Sequence, residues 1–142
     1  MLIRPARLDE IIALRHAVLR PGRPLDTARF EGDDDVTTIH VGAFASARLV
    51  GCASVMRRSL DGEDALQLRG MATAPDRAGQ GIGMAVLRFL EEDVARSLGV
   101  RLLWCNARTS ASGFYAGAGW MLVSAAFDVP DVGPHVRMIR RV

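Results

Sequence analysis

The chain has 142 residues, 49% apolar and 24% charged, with a formal net charge of +2. That balance suits one folded domain over residues 1–142 with a sizeable core, and it excludes a disordered chain. All eighteen basic residues are arginines, scattered rather than gathered in a stripe, which argues against nucleic acid as a partner. No apolar run is long enough to span a bilayer and no signal peptide opens the chain, so no membrane partner is expected and the cytoplasm is the default location.

Met1 to Arg4 reads as a first strand. Asp9 is placed to cap a helix whose apolar positions Ile11, Leu14, Val18 and Leu19 recur at helical spacing, and Pro21 ends it. Residues 21–35 are turn-rich and read as mostly loop. They close on an acidic run, Glu31, Asp33, Asp34 and Asp35, which reads as solvated surface, with attraction of a cationic acceptor as the alternative. Thr37–Phe44 and Leu49–Arg57 form a hairpin, and a turn at Leu60–Asp64 leads into a strand from Ala65 to Thr73. A glycine-rich stretch, Arg77-Ala-Gly-Gln-Gly-Ile-Gly83, then opens a helix that carries Leu87, Leu90 and Val94 on one face and stops at Gly99. Val100–Ala107 is a strand, Ser110–Ala118 a short helix, and Trp120–Ala126 and Val136–Arg141 are the last strands. The pattern is an α/β (α+β) fold: a mixed sheet of six to seven strands flanked by about four helices. Cys52 and Cys105 lie inside apolar strands without metal-ligand spacing, so they read as buried thiols and no metal site is expected.

A strand, a glycine loop and a helix start together make an anion cradle, with bare N–H groups and the positive helix end facing a phosphate. A nucleotide P-loop needs a lysine, and this chain has none. A dinucleotide fingerprint needs a third glycine that falls here on Met84 or Val86. The spacing Ala78-Gly79-Gln80-Gly81-Ile82-Gly83, preceded by Leu68-Arg69-Gly70-Met71-Ala72-Thr73, resembles the pyrophosphate loop of the GNAT superfamily of acetyl-CoA-dependent N-acetyltransferases. Phe114-Tyr115-Ala-Gly-Ala-Gly119-Trp120 resembles that family's Tyr-x-x-x-Gly-Phe element, and the strand order matches over nearly the whole chain. The family's first loop position is usually Arg or Gln, whereas this chain has Ala78, with Arg77 one residue earlier. The resemblance implies a mostly antiparallel sheet splayed at its centre and acetyl-CoA as co-substrate. It also implies cofactor contacts from Met71, Ala72, Thr73, Ala78, Gly79, Gln80, Gly81, Ile82, Gly83 and Met84; Arg77 either adds charge at the pyrophosphate or is a solvated loop residue, and Asn106 is a further candidate for cofactor binding.

Acetyl transfer to an amine needs a positioned thioester, a stabilised oxyanion, and protons moved off the amine and onto the departing thiolate. By the resemblance, the splayed strand ending in Met71-Ala72-Thr73 pairs with the pantetheine arm, and the N–H of Met71 or a neighbour faces the thioester oxygen. Tyr115 is the general-acid candidate; its alternative role is a core tyrosine with a wet hydroxyl. His135 and His40 are the candidates for general base, since the strand before the loop carries no Asp or Glu and histidine titrates near neutrality. Asn106 either bonds the pantetheine arm or turns the chain. The expected function is transfer of acetyl from acetyl-CoA to a primary amine of a small molecule or peptide in a ternary complex. The alternative is a non-catalytic acyl-CoA sensor on the same fold. Pairing of two copies through the C-terminal strands is compatible with the pattern.

Overall fold

A computed structural model describes all residues, Met1–Val142. Strands β1 (Leu2–Ala6), β2 (Ile39–Ala45), β3 (Arg48–Arg57) and β4 (Leu66–Thr73) form one antiparallel arm of the sheet. Strand β5 (Leu102–Arg108) joins β4 in parallel and pairs antiparallel with β8 (Gly133–Arg141). The short strands β6 (Met121–Leu122) and β7 (Phe127–Val129) both pair with β8. The sheet therefore has eight strands, one beyond the expected range: the expected strand Trp120–Ala126 shortens to Met121–Leu122, and Phe127–Val129, beyond it, is the added strand. At Ser124 the side-chain hydroxyl accepts the Arg137 amide at 2.8 Å, a bond the backbone ladder would otherwise supply, and the ladder breaks there.

Alternate side chains of β3 face opposite sides of the sheet. Cys52 packs with Ile11 of α1 (Leu8–Leu19) and with Ala72. Ala53 belongs to the large core with Leu87 and Leu90 from the helix after the glycine loop. Helix α1 begins at Leu8 rather than beyond Asp9, because the Glu10 carboxylate accepts the Arg7 amide at 2.9 Å. A 3-10 turn at Leu25–Ala28 is the only regular piece of the 21–35 segment.

The helix after the glycine loop is not uniform. It runs as α2 (Ile82–Phe89), a π-helical stretch Leu90–Ala95, and α3 (Arg96–Leu98), and ends at Gly99 in the left-handed region. The wide turn carries Glu91, whose buried carboxylate accepts from Arg88 at 2.8 Å, Arg140 at 3.1 Å and Trp120 at 3.2 Å. Helix α4 (Ser112–Gly117) follows a 3-10 turn at Thr109–Ala111. No helix is long and apolar enough to cross a membrane.

Candidate active site

Parallel pairing between β4 and β5 is limited to Leu66 with Leu103 and Gln67 with Trp104. Beyond that point β5 keeps β8 as its partner through Arg108, while the β3–β4 register shifts between Cys52 and Ser54. Gly70 stands at this bulge with φ of +63°. A Cβ there would lie 2.6 Å from Arg15 Nε, so both the backbone angle and the packing require glycine. The two strands splay, and the β5-facing edge of β4 has no ladder partner from Leu68 onward. Such an edge can pair with amide groups of a bound molecule.

The glycine loop lies just beyond the end of β4. A 3-10 turn at Pro75–Arg77 leads to Gly79 and Gly81, at φ of +77° and +79°. The amides of Gly79, Gln80 and Gly81 donate to no backbone carbonyl, and the first intrahelical bond runs from the Ala85 amide to the Gly81 carbonyl at 3.0 Å. The amides of Ile82, Gly83 and Met84 are thus the open first turn of α2. Six unpartnered N–H groups at a helix start form a cradle for an anion. Ala78 is exposed and adds no charge, whereas Arg77 is half-buried beside the loop.

A cleft of about 270 Å³ opens where the strands diverge, and Met71, Asn106, Tyr115 and His135 all line it. Tyr115 is buried, and its hydroxyl donates to Met71 Sδ at 3.5 Å. Burial pushes the phenol well above its ordinary value, with Cys105 adding to the shift, so the hydroxyl keeps its proton. Phe114 meets the Tyr115 ring edge-on at 5.2 Å and Trp120 packs on it at 5.3 Å. Because Trp120 is itself tied to Glu91, the π-helical turn helps to set the tyrosine's orientation.

His135 is buried beside the cleft, with Nδ1 2.8 Å from the Gly133 carbonyl. A carbonyl only accepts, so Nδ1 carries a proton, and in the neutral ring Nε2 is then the nitrogen with the lone pair. His40 is not brought to the site. Its Nε2 donates to the Asp33 carbonyl at 3.1 Å, and its Nδ1 accepts from Ser54 Oγ at 2.6 Å. Ser54 in turn accepts from Arg15, which is paired with Asp33 at 2.6 Å. Both nitrogens of His40 are occupied in a buried network that fastens the 29–38 segment to the sheet. Asn106 is exposed, and its Oδ1 accepts from Arg137 Nε at 3.2 Å, which leaves its N–H groups free.

No carboxylate of the acidic run lines the cleft. Asp33 is buried against Arg15, Glu31 reaches Arg58 at 3.4 Å, and Asp35 accepts from Thr37. The cleft instead gains residues that sequence reading missed: Phe30, Gln67, and the arginines Arg20, Arg69 and Arg108. No local motif marks them, because they come from the end of α1, the following loop, β4 and β5.

Residues 36–122 match the family described as acetyltransferase (GNAT) domain. The chain is 31% identical over 141 residues to the uncharacterized N-acetyltransferase YitI of Bacillus subtilis (strain 168), covering 97% of this chain and 94% of that protein. Among solved structures, an aminoglycoside 6'-N-acetyltransferase complexed with coenzyme A superposes with a TM-score of 0.80 at 17% identity, over 99% of this chain and 97% of that one. FeeM, an N-acyl amino acid synthase from uncultured soil microbes, also gives 0.80, at 12% identity over 99% and 95%. At these identities the two structures speak for the fold alone.

Proposed function

The chain belongs to the GNAT family of acetyltransferases, and from that premise we propose that it moves an acetyl group from acetyl-CoA to a primary amine of a small molecule or peptide, with both substrates bound together. One observation carries this reading: a protonated tyrosine and a histidine whose Nε2 is the acceptor of its neutral ring both line a cleft at the strand splay. Acetyl-CoA, when bound, supplies the activated acyl group. The open amides from Gly79 to Met84 would hold its pyrophosphate, with Arg77 beside them adding charge. The unpaired edge of β4 at Met71, Ala72 and Thr73, together with the Asn106 amide, would hold the pantetheine arm, and the Met71 N–H would face the acyl oxygen. Nε2 of His135 takes the proton of the amine, directly or through a water. The Tyr115 hydroxyl donates to the leaving sulfur.

Direct attack is favoured over a cysteine-linked route. Cys105 lines the cleft, but burial pushes its thiol up to about 12; Cys52 lies in the core and is raised to about 11, also by burial. Neither supplies a thiolate near neutral pH. The test is release of free CoA thiol from acetyl-CoA across a panel of amines, read beside thermal stabilisation by acetyl-CoA. Amine-dependent release is expected. Stabilisation without release from any amine would instead mark a binding module.

A further inference from the structure

The acceptor cleft is cationic. Arg20, Arg69 and Arg108 line it, and no aspartate or glutamate does. Elsewhere Arg15, Arg48, Arg57, Arg58 and Arg88 each hold a carboxylate. The three cleft arginines hold no carboxylate; their partners are carbonyls and, for Arg69, also the Met56 thioether. Arg20 Nη1 and Arg108 Nη2 donate to Leu19 O at 3.0 and 2.9 Å, and Arg69 Nη1 donates to Glu31 O at 2.8 Å. Most of their N–H donors are left without a partner, and none of the three is paired with a carboxylate, although Asp33 and Glu31 lie near enough to act on Arg69 through space.

The cluster is built rather than incidental. Its members come from the end of α1, from β4 and from the end of β5, and the Phe30 ring gathers two of them. The Arg20 and Arg69 guanidiniums lie 5.3 and 5.1 Å from its centroid. Burial lowers the pKa of both; neighbouring cations push further, with Arg108 acting on Arg20 and Arg58 on Arg69, while Asp33 and Glu31 offset part of the push on Arg69. Cations packed in a half-enclosed site with no carboxylate lining it repel one another, and an incoming anion relieves that repulsion. A second mark is Gln67. It lines the same cleft, and its buried Oε1 has no hydrogen-bond partner. An orphaned acceptor is matched by a ligand that brings an N–H.

We infer that the acetyl acceptor is a small amine that also carries an anionic group, of which a free amino acid is the simplest kind, with Arg20, Arg69 and Arg108 holding the anion. This rests on the amine-acetylation reading. A cleft of about 270 Å³ is at the small end for ligand pockets, in keeping with such a molecule. The same charge works against polycations such as aminoglycosides and polyamines.

The experiment compares matched pairs: α-amino acids with their amides, and O-phosphoethanolamine with ethanolamine, alongside spermidine and kanamycin. CoA release gives kcat/KM, and calorimetry in the presence of CoA gives binding independently of turnover. At least one anionic member should exceed its neutral partner by about tenfold or more, and the favoured pair tells carboxylate from phosphate. Arg69→Gln and Arg108→Gln should each drive that ratio toward one. The ratio is internal to each variant, so a loss of folded protein lowers both rates and leaves it unchanged. Equal or better turnover of amides, spermidine or kanamycin would overturn the anion site while leaving acetylation standing. Calorimetric binding of the anionic amines without CoA release would support the anion site and count against acetylation. Neither binding nor turnover of any anionic amine would overturn the inference.

Discussion

Tyr115 and His135 are both histories of burial, with opposite chemical results. The tyrosine has lost water and gained only a thioether partner, so its proton stays in place. The histidine has one nitrogen fixed by a carbonyl, which makes the other the acceptor of the neutral ring. One site thus holds a hydroxyl that donates and a ring nitrogen able to accept. Tyr115→Phe keeps the ring packing against Phe114 and Trp120 and removes only the hydroxyl. It should lower kcat by about tenfold to a hundredfold while acetyl-CoA affinity and melting temperature stay close to wild type. Steady-state kinetics with acetyl-CoA titrations check this, and an unchanged kcat would take Tyr115 out of the chemistry.

At the scale of elements, the glycine loop works through backbone conformation more than through space. A Cβ at Gly81 would meet nothing within 4 Å, yet its φ is +79°. Crowding within the protein therefore does not explain the glycine; the left-handed turn that aims the amides does. Gly99, at the other end of the helix, has φ of +69° and equally open surroundings, which makes it a matched control. Gly81→Ala and Gly99→Ala should each cost about 1–2 kcal/mol of stability, a melting shift of several degrees. Only Gly81→Ala should also weaken CoA binding, as calorimetry would show. Equal CoA affinity in the two variants would remove the loop from phosphate binding. This loop was legible in the sequence because its spacing, its strand and its helix are all local. The π-helical turn at Leu90–Ala95 was not, since Glu91 gains its reason to turn inward from Arg140 and Trp120, which are distant in the chain. Likewise, nothing near His40 in sequence foretold that Ser54 and the Asp33 carbonyl would occupy its ring.

The whole molecule consists of two sheet arms joined by a two-position parallel ladder, and side chains help to close the seam. Arg108 on β5 donates to Leu19 at the end of α1, and Arg23 donates to Asp131. Around the surface, arginine–carboxylate pairs tie distant segments, Arg48 with Asp76 and Arg141 with Glu63, while Arg57 with Asp64 clasps the turn between β3 and β4. Hydrogen bonds from these arginines hold Asp76, Asp64 and Glu63 below their usual values, and Arg4 lowers Glu10 to about 2. A depressed carboxylate stabilises the fold above its unfolded pKa and loses that contribution as pH falls through its folded one. Thermal melts should therefore decline from about pH 4.5 downward, and less steeply in high salt because the pairs are exposed. A melting temperature flat from pH 6 to 2.5 would show that these pairs contribute nothing.

The sequence by itself determined most of the element order, the glycine-rich loop at a helix start and the tyrosine after it, because each depends on neighbours a few residues apart. Only the tertiary structure decided which histidine reaches the cleft, that the acidic run does not, and that three arginines from separate elements share one site. Those outcomes depend on which backbone and side-chain partners fold onto each group. Charge and hydrogen bonding act through space, and the chain's order does not record those distances.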